Sequence, residues 1–275
     1  MHLLGRHFIS AFLVGLLAGC SDPPEDKTSV NLTAEEVILK SETLKAMAEQ
    51  GDASAQARLG EYYYNSEGAA KDFVQAVFWF RKSAEQGDPI AQFNLGHCYY
   101  TGEGINKDFE QAASWNRKAA EQGHARAQAC LGHCYYTGEG LAKDLVQAVT
   151  WTRKAAEQGD AMAQFNLGHY HYNGEGVPKD FVQADWWTRK AAEQGFALAQ
   201  ARLGYSYANG ERVIKNAIEA YAYWNLAGVT EEDARKNLYI LESRMSRDEI
   251  AAGQKRTIEL QKETEAKIAA MRQVK

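Results

Sequence analysis

Apolar and small residues recur along most of this chain with a helical rhythm. Within residues 91–100, Gln92, Leu95, Gly96 and Tyr99 fall at i, i+3, i+4 and i+7 and so share one helix face. Within 109–122, Ala112, Trp115 and Ala119 follow the same spacing. Residues 101–108, with their Gly-Glu-Gly, separate the two runs, which predicts a helix, a turn and a second helix. Gly102 and Gly123 stand where each helix must stop, because glycine takes positive φ without a steric penalty. Gly96 allows the second helix to come close. The two faces, small residues around one aromatic, are the expected core.

This unit is itself repeated. Ala-Glu-Gln-Gly ends at Gly51, Gly87, Gly123, Gly159 and Gly195, always 36 residues apart. Leu59, Leu95, Leu131, Leu167 and Leu203 keep the step, as do Trp79, Trp115, Trp151 and Trp187, with Tyr223 in the fifth place. Such units bury their apolar faces by stacking on one another. Before them, residues 34–50 read as an N-terminal capping helix without the tryptophan. After them, within 229–275, residues 230–244 and 246–271 read as capping helices, with Thr230 and Ser246 as N-caps and the last, charged helix projecting.

The motif Ala-x-Ala-Gln-x-x-Leu-Gly-x-x-Tyr-x-x-Gly-x-Gly, followed by Asp, Ala, Trp and Lys-Ala-Ala-Glu-Gln-Gly, resembles the Sel-1-like repeats, relatives of the tetratricopeptide solenoids. The resemblance implies an all-α fold, an α/α superhelical solenoid of helix-turn-helix repeats with a 36-residue period, in which residues 51–228 hold five repeats, the fifth divergent. Residues 242–250 are similar to the closing cap of this family. In tetratricopeptide-like arrays the first helices line a concave surface, so the resemblance also implies a groove for a protein or peptide.

Columns that vary between repeats locate that groove. They read Arg58, Asn94, Cys130, Asn166 and Arg202; Glu61, His97, His133, His169 and Tyr205; Asn65, Thr101, Thr137, Asn173 and Asn209. The three columns share a face of the first helix and supply groups that hydrogen-bond an incoming chain. The alternative is a merely solvated face.

Composition narrows the function further. The net charge of -5 leaves no basic stripe for a nucleic-acid backbone, so no nucleic acid is expected as partner. Residues 1–19 read as a signal: Arg6, the apolar run 8–17, then Leu17-Ala18-Gly19-Cys20, which resembles a bacterial lipobox. By that resemblance Cys20 carries the lipid, and Ser21 after it favours the outer membrane facing the periplasm. Residues 20–33, with Pro23, Pro24 and three acids, read as a flexible tether reaching roughly 20 Å.

No catalytic, cofactor or metal site is expected. The glycine loops lack the Lys-Ser/Thr of a P-loop, and no Ser-x-x-Lys occurs. Glu103, Glu139 and Glu175 copy one loop position and read as exposed turn residues. His97, His133 and His169 sit on different helices, too far apart to converge on zinc. Cys98, Cys130 and Cys134 do not form a disulfide framework, and the columns that carry cysteine in the disulfide-stapled branch of the family hold Ala84, Gln92, Ala120 and Gln128 here. That departure speaks against β-lactam or cell-wall chemistry. The expected function is a monomeric, non-catalytic interaction module. Family resemblance adds two sharper forms: an immunity protein against a type VI secretion phospholipase effector, or an envelope-assembly or stress-signalling adaptor.

Overall fold

Most helices of the repeats start on a side-chain cap that the repeat supplies; the helix that begins at Ala197, after Phe196, is an exception. Asp72, Asp108, Asp144 and Asp180 each accept a backbone N–H of the first turn at 2.9–3.0 Å through Oδ1, and Asn216 does the same in the fifth repeat. The caps are locked in register by their own N–H groups: that of Asp108, for example, donates to Tyr99 O at 2.9 Å. Asp52, Asp88 and Asp160 cap the first helices. In the third repeat His124 replaces the aspartate, and its Nδ1 accepts from Ala127 N at 3.2 Å.

The computed structural model describes residues 34–66 and 71–273, so Cys20, the leader and the tether lie outside the described residues. Thirteen helices and no strands occur among them. A helix over Ala34–Glu49 (α1) precedes the pairs Ala53–Asn65 (α2) and Phe73–Glu85 (α3), Pro89–Thr101 (α4) and Phe109–Glu121 (α5), and Ala125–Thr137 (α6) and Leu145–Glu157 (α7). The fourth and fifth pairs are Ala161–Asn173 (α8) with Phe181–Ala192 (α9), and Ala197–Asn209 (α10) with Ala217–Ala227 (α11). Glu232–Glu242 (α12) and Arg247–Gln273 (α13) follow. The described residues divide into two compact units, 34–155 and 156–273. No helix among them is long and apolar enough to cross a membrane.

In the first unit, Leu95, Leu131, Ala76, Ala112 and Phe80 are fully buried and form the centre of the core. Ala48 of α1 packs with Leu59 and Trp79. The leucine–glycine pair works as the sequence predicts: a Cβ on Gly96 would lie 2.9 Å from Asn116 Oδ1 and 3.2 Å from Ala112 O. Gly102 ends α4 at φ +85. The tryptophan column is less uniform than expected. Trp79 is buried, but Trp115 and Trp151 are half-buried, each with a lysine ammonium over its ring, Lys118 at 3.8 Å and Lys154 at 4.0 Å.

Paired glutamines tie the repeats together. Gln92 Nε2 donates to Ala84 O at 3.2 Å while its Oε1 accepts from Gln122 Nε2 at 2.8 Å. The second unit repeats this arrangement with Gln164, Ala156 and Gln194. The glutamine of Ala-Glu-Gln-Gly therefore reaches back 30 residues to the glutamine of Ala-x-Ala-Gln, which is why both are present in each of the first four repeats.

Two expectations for the C-terminus need correction. Thr230 is not an N-cap: its N–H still closes a turn onto Ala227 O at 3.1 Å, and α12 begins beyond Glu231. Nor does the last helix project. α13 starts on a capping box, with Ser246 N donating to Glu249 Oε2 at 2.8 Å and Glu249 N to Ser246 Oγ at 3.3 Å. It then lies along α11, with Gly253 under the Tyr221 ring, Leu260 buried, Arg256 Nε 2.8 Å from Glu219 Oε1 and Lys267 Nζ 2.9 Å from Glu193 Oε2. Its charges are the anchors of a strap.

Candidate functional site

Much of the variable polar stripe does not face solvent. Ten of the thirteen residues of α4 are buried, Asn94 and His97 among them. His133 and Asn166 are buried as well, and Cys130 is enclosed beside them. The expectation that Asn94, His97, His133 and Asn166 line an open groove is thus corrected, and the reason is a contact between repeats that sequence spacing does not show.

In the first unit the hydroxyl of Tyr64 lies 2.9 Å from His97 Nε2 and donates to the Glu103 carboxylate, which stands 3.8 Å from the same imidazole nitrogen. The next step repeats it: Tyr100 OH donates to Glu139 Oε2 at 3.2 Å, and His133 Nε2 lies 3.9 Å from that carboxylate. Tyrosine, histidine and glutamate at i, i+33 and i+39 close the stripe over the histidines. Glu103 and Glu139 are therefore half-buried acceptors between repeats, not simply exposed turn residues. Asn94 Nδ2 donates to Glu61 Oε1 at 3.4 Å across the same boundary. Thr101 and Thr137 bend back to His97 O and His133 O at 3.1 and 3.0 Å and accept from the glutamate N–H, which sets the loop.

In the second unit His169 is half-buried, its Nδ1 3.6 Å from Glu175 Oε2, and Asn173 hydrogen-bonds its Nε2. Tyr205 replaces the histidine in the fifth repeat and packs, half-buried, with the cluster around Trp224. There Glu211 accepts from Tyr172 OH at 2.9 Å and from Arg202 Nη2 at 3.3 Å, with the Arg202 guanidinium 4.7 Å from the Tyr172 ring. What remains at the surface of the stripe is its outer edge: Arg58, Asn65, Thr137, Asn173 and Asn209 are exposed, and Glu61, Thr101 and Arg202 are half-exposed.

This environment decides what the titratable groups can do. Burial, with the Glu103 carboxylate beside it, raises the Tyr64 phenol well above its ordinary value. Burial pushes the Cys98 and Cys134 thiols up to about 12, so neither offers a thiolate as nucleophile or metal ligand at neutral pH. Burial lowers His133 against the opposing pull of Glu139, and burial with Arg202 lowers His169 to about 3. His133 and His169 are thereby held as neutral packing groups. Among the described residues, no three His, Cys, Asp or Glu side chains are grouped to hold a metal ion.

Sequence reading overlooked the tyrosine–glutamate contact, although both columns are present in the repeats. It also overlooked a paired departure. Val77, Ala113 and Val149 share a buried apolar column that becomes Asp185, and Gly104, Gly140 and Gly176 share a loop column that becomes Arg212. Arg212 grips Asp185 with Nη2 to Oδ1 at 2.8 Å and Nε to Oδ2 at 3.0 Å.

Helix pairs of 36 residues, stapled through repeated glutamine and tyrosine–glutamate contacts, define an α/α repeat protein. The chain belongs to the Sel1 repeat family, whose repeat matches residues 53–88, 89–124, 125–160, 161–196 and 197–228, and it is a module of the protein-interaction type. It is similar to a protective antigen of uropathogenic Escherichia coli that displays an SLR fold, with 39% identity and a TM-score of 0.65 over 72% of this chain and 43% of the antigen. The chain thus spans less than half of the antigen's length. A Sel1 repeat protein from Oxalobacter formigenes matches with 29% identity and a TM-score of 0.67 over 81% of this chain and 99% of that one. No curated protein matches the chain significantly in sequence.

Proposed function

We propose that this chain is a non-catalytic scaffold that captures a protein or peptide and is held at a bacterial envelope, facing the periplasm of the outer membrane, by a lipid on Cys20. The observation that carries the reading is the division within the polar stripe. Its buried members Asn94 and His97 contact the neighbouring repeat and His133 is enclosed beside Glu139, while Arg58 and, in the Asn/Thr column, Asn65, Thr137, Asn173 and Asn209 stay exposed. Variable surface groups on an invariant frame are how repeat proteins acquire a partner. The anchor is supported by Leu17-Ala18-Gly19-Cys20 after an apolar run.

Within this reading the chain acts either as an immunity protein against a phospholipase effector or as an envelope-assembly or stress-signalling adaptor. Crosslinked pull-down from envelope fractions, comparing the native chain with Arg58→Ala combined with Asn65→Ala, separates them by the partner recovered. The double variant is expected to lose that partner and keep its helical circular dichroism. Unchanged capture would remove the stripe edge from the site. Hydrolysis of peptidoglycan or a β-lactam, abolished by one substitution, would overturn the non-catalytic reading.

A further inference from the structure

The outer face of α9 carries an exposed apolar patch that packing does not require. Val182 is 77% and Trp186 47% exposed, one turn apart, and Phe181 beside them is 42% exposed. The second repeat holds Glu110 and Ser114 where this one has Val182 and Trp186, so the frame accepts polar residues there. Each ring in the patch is met by a cation: Lys190 Nζ lies 4.8 Å from the Trp186 ring, Lys179 Nζ and the Arg212 guanidinium each 5.2 Å from that of Phe181.

Arg212 has been set in place at a conformational cost. Its φ of +59 is the one left-handed value of a non-glycine residue among the described residues, where the second and third repeats place Gly104 and Gly140. Its bidentate hold on Asp185, with Nη1 also 3.0 Å from Glu211 Oε1, commits its charge to these carboxylates and sets the guanidinium over Phe181, so Lys179 and Lys190 are the cations of the patch. The result is an apolar surface met by cations on a chain whose net charge is -5.

We propose that Phe181, Val182 and Trp186, with Lys179 and Lys190, form a contact surface for an anionic phospholipid bilayer. Aromatic rings sit at the level of the headgroups, and the lysines that cover them reach outward to phosphate while their stems stay on apolar surface. Charge complementarity selects the occupant, because lysines cover an apolar face on a chain that is acidic as a whole; α3 of the first repeat carries the same chemistry, with Val74 and Phe78 exposed and Lys82 Nζ 4.6 Å from the Phe78 ring. The inference rests on the reading that the chain stands at a membrane, and it adds a second, non-covalent attachment to the lipid on Cys20.

The test uses the full chain with Cys20→Ser, so that no acyl chain forms, and a polarity-sensitive fluorophore on Val182→Cys. The thiols of Cys98, Cys130 and Cys134 are buried and leave that site to react. Emission at 182 is expected to shift to the blue with vesicles of phosphatidylglycerol and phosphatidylethanolamine and to stay put with phosphatidylcholine. The same label on Ser114→Cys should not respond. Lys190→Gln should raise the lipid needed for half the shift about fivefold, and Trp186→Ser about tenfold. No shift at 182, an equal shift at 114, or an equal response to phosphatidylcholine would overturn the proposal, as would a protein rather than lipid crosslinked to 182 in envelope fractions. Because no variant here can be acylated, failure of the patch leaves the Cys20 anchor untouched, and loss of palmitate labelling in a separate experiment leaves the patch untouched.

Discussion

The hydroxyl of Tyr100 donates to Glu139 Oε2 at 3.2 Å, joining one repeat to the loop of the next, and Tyr172 meets Glu211 at 2.9 Å at the same spacing of 39 residues. These contacts turn a column of tyrosines and a column of loop glutamates into staples over the stripe. They also give the recurrence of the glutamates a structural reason.

Tyr100→Phe keeps the edge-on contact with Phe109, whose ring centroid is 5.3 Å away, and removes only the hydroxyl. A hydrogen bond to a charged group contributes about 1.5–3 kcal/mol, and the one-third exposure of Glu139 reduces this to about 1 kcal/mol. Urea denaturation should show that loss. An unchanged midpoint would show that the staple contributes nothing to stability.

Two glycines with left-handed backbones should respond differently to alanine. Gly123 has φ +91 and nothing within 4 Å of an added Cβ, so Gly123→Ala should cost about 1–2 kcal/mol of backbone strain alone. Gly104 has φ +71, and its Cβ would lie 2.1 Å from Phe73 O. Gly104→Ala should exceed the Gly123 loss by about 1–3 kcal/mol, because the loop must leave α3. Equal shifts in Tm for the two variants would contradict this packing.

His124 caps α6 only when its Nδ1 is unprotonated, and it stacks on Phe93 at 4.9 Å. Burial, then Arg126, lowers its pKa from 6.5 to about 4. Below pH 6.5 the unfolded chain takes up the proton first, so stability is full above that value and declines as pH falls toward about 4. His124→Asp restores the residue of the other caps and titrates below this window. It should hold neutral-pH stability within about 1 kcal/mol and lower the slope by up to about 1.4 kcal/mol per pH unit. Denaturation at stepped pH checks both, and an unaltered slope would sink the assignment to His124.

Palmitate labelling addresses the anchor. The native chain is expected to incorporate the label and Cys20→Ala is not. Incorporation by the variant would end the lipoprotein reading. Mass spectrometry of the same material should find the buried Cys98, Cys130 and Cys134 as thiols, and a stoichiometric disulfide would refute this.

Local rules were enough for much of this molecule. Gly102 and Asp108 show their turn in any sequence window, because positive φ and side-chain capping are decided within a few residues. The 36-residue recurrence of leucine, tryptophan and Ala-Glu-Gln-Gly then names the repeat, since each unit must offer its neighbour the same face. Thr230 shows where local rules stop: a residue suited to capping was held instead in the turn that leaves α11.

What the sequence determined by itself was therefore the helix pair, its period and its family, all properties of spacing along the chain. Tertiary structure decided which polar residues are surface and which are mortar. His97 and Asn94 look like groove residues until Tyr64, Glu103 and Glu61 close on them, and α13 looks like a projecting charged helix until Glu193 and Glu219 receive its cations. The physical reason is common to both cases. A polar side chain has no fixed preference for water or interior; its burial depends on whether a partner from a distant segment arrives at hydrogen-bonding distance, and that is settled only when the repeats stack.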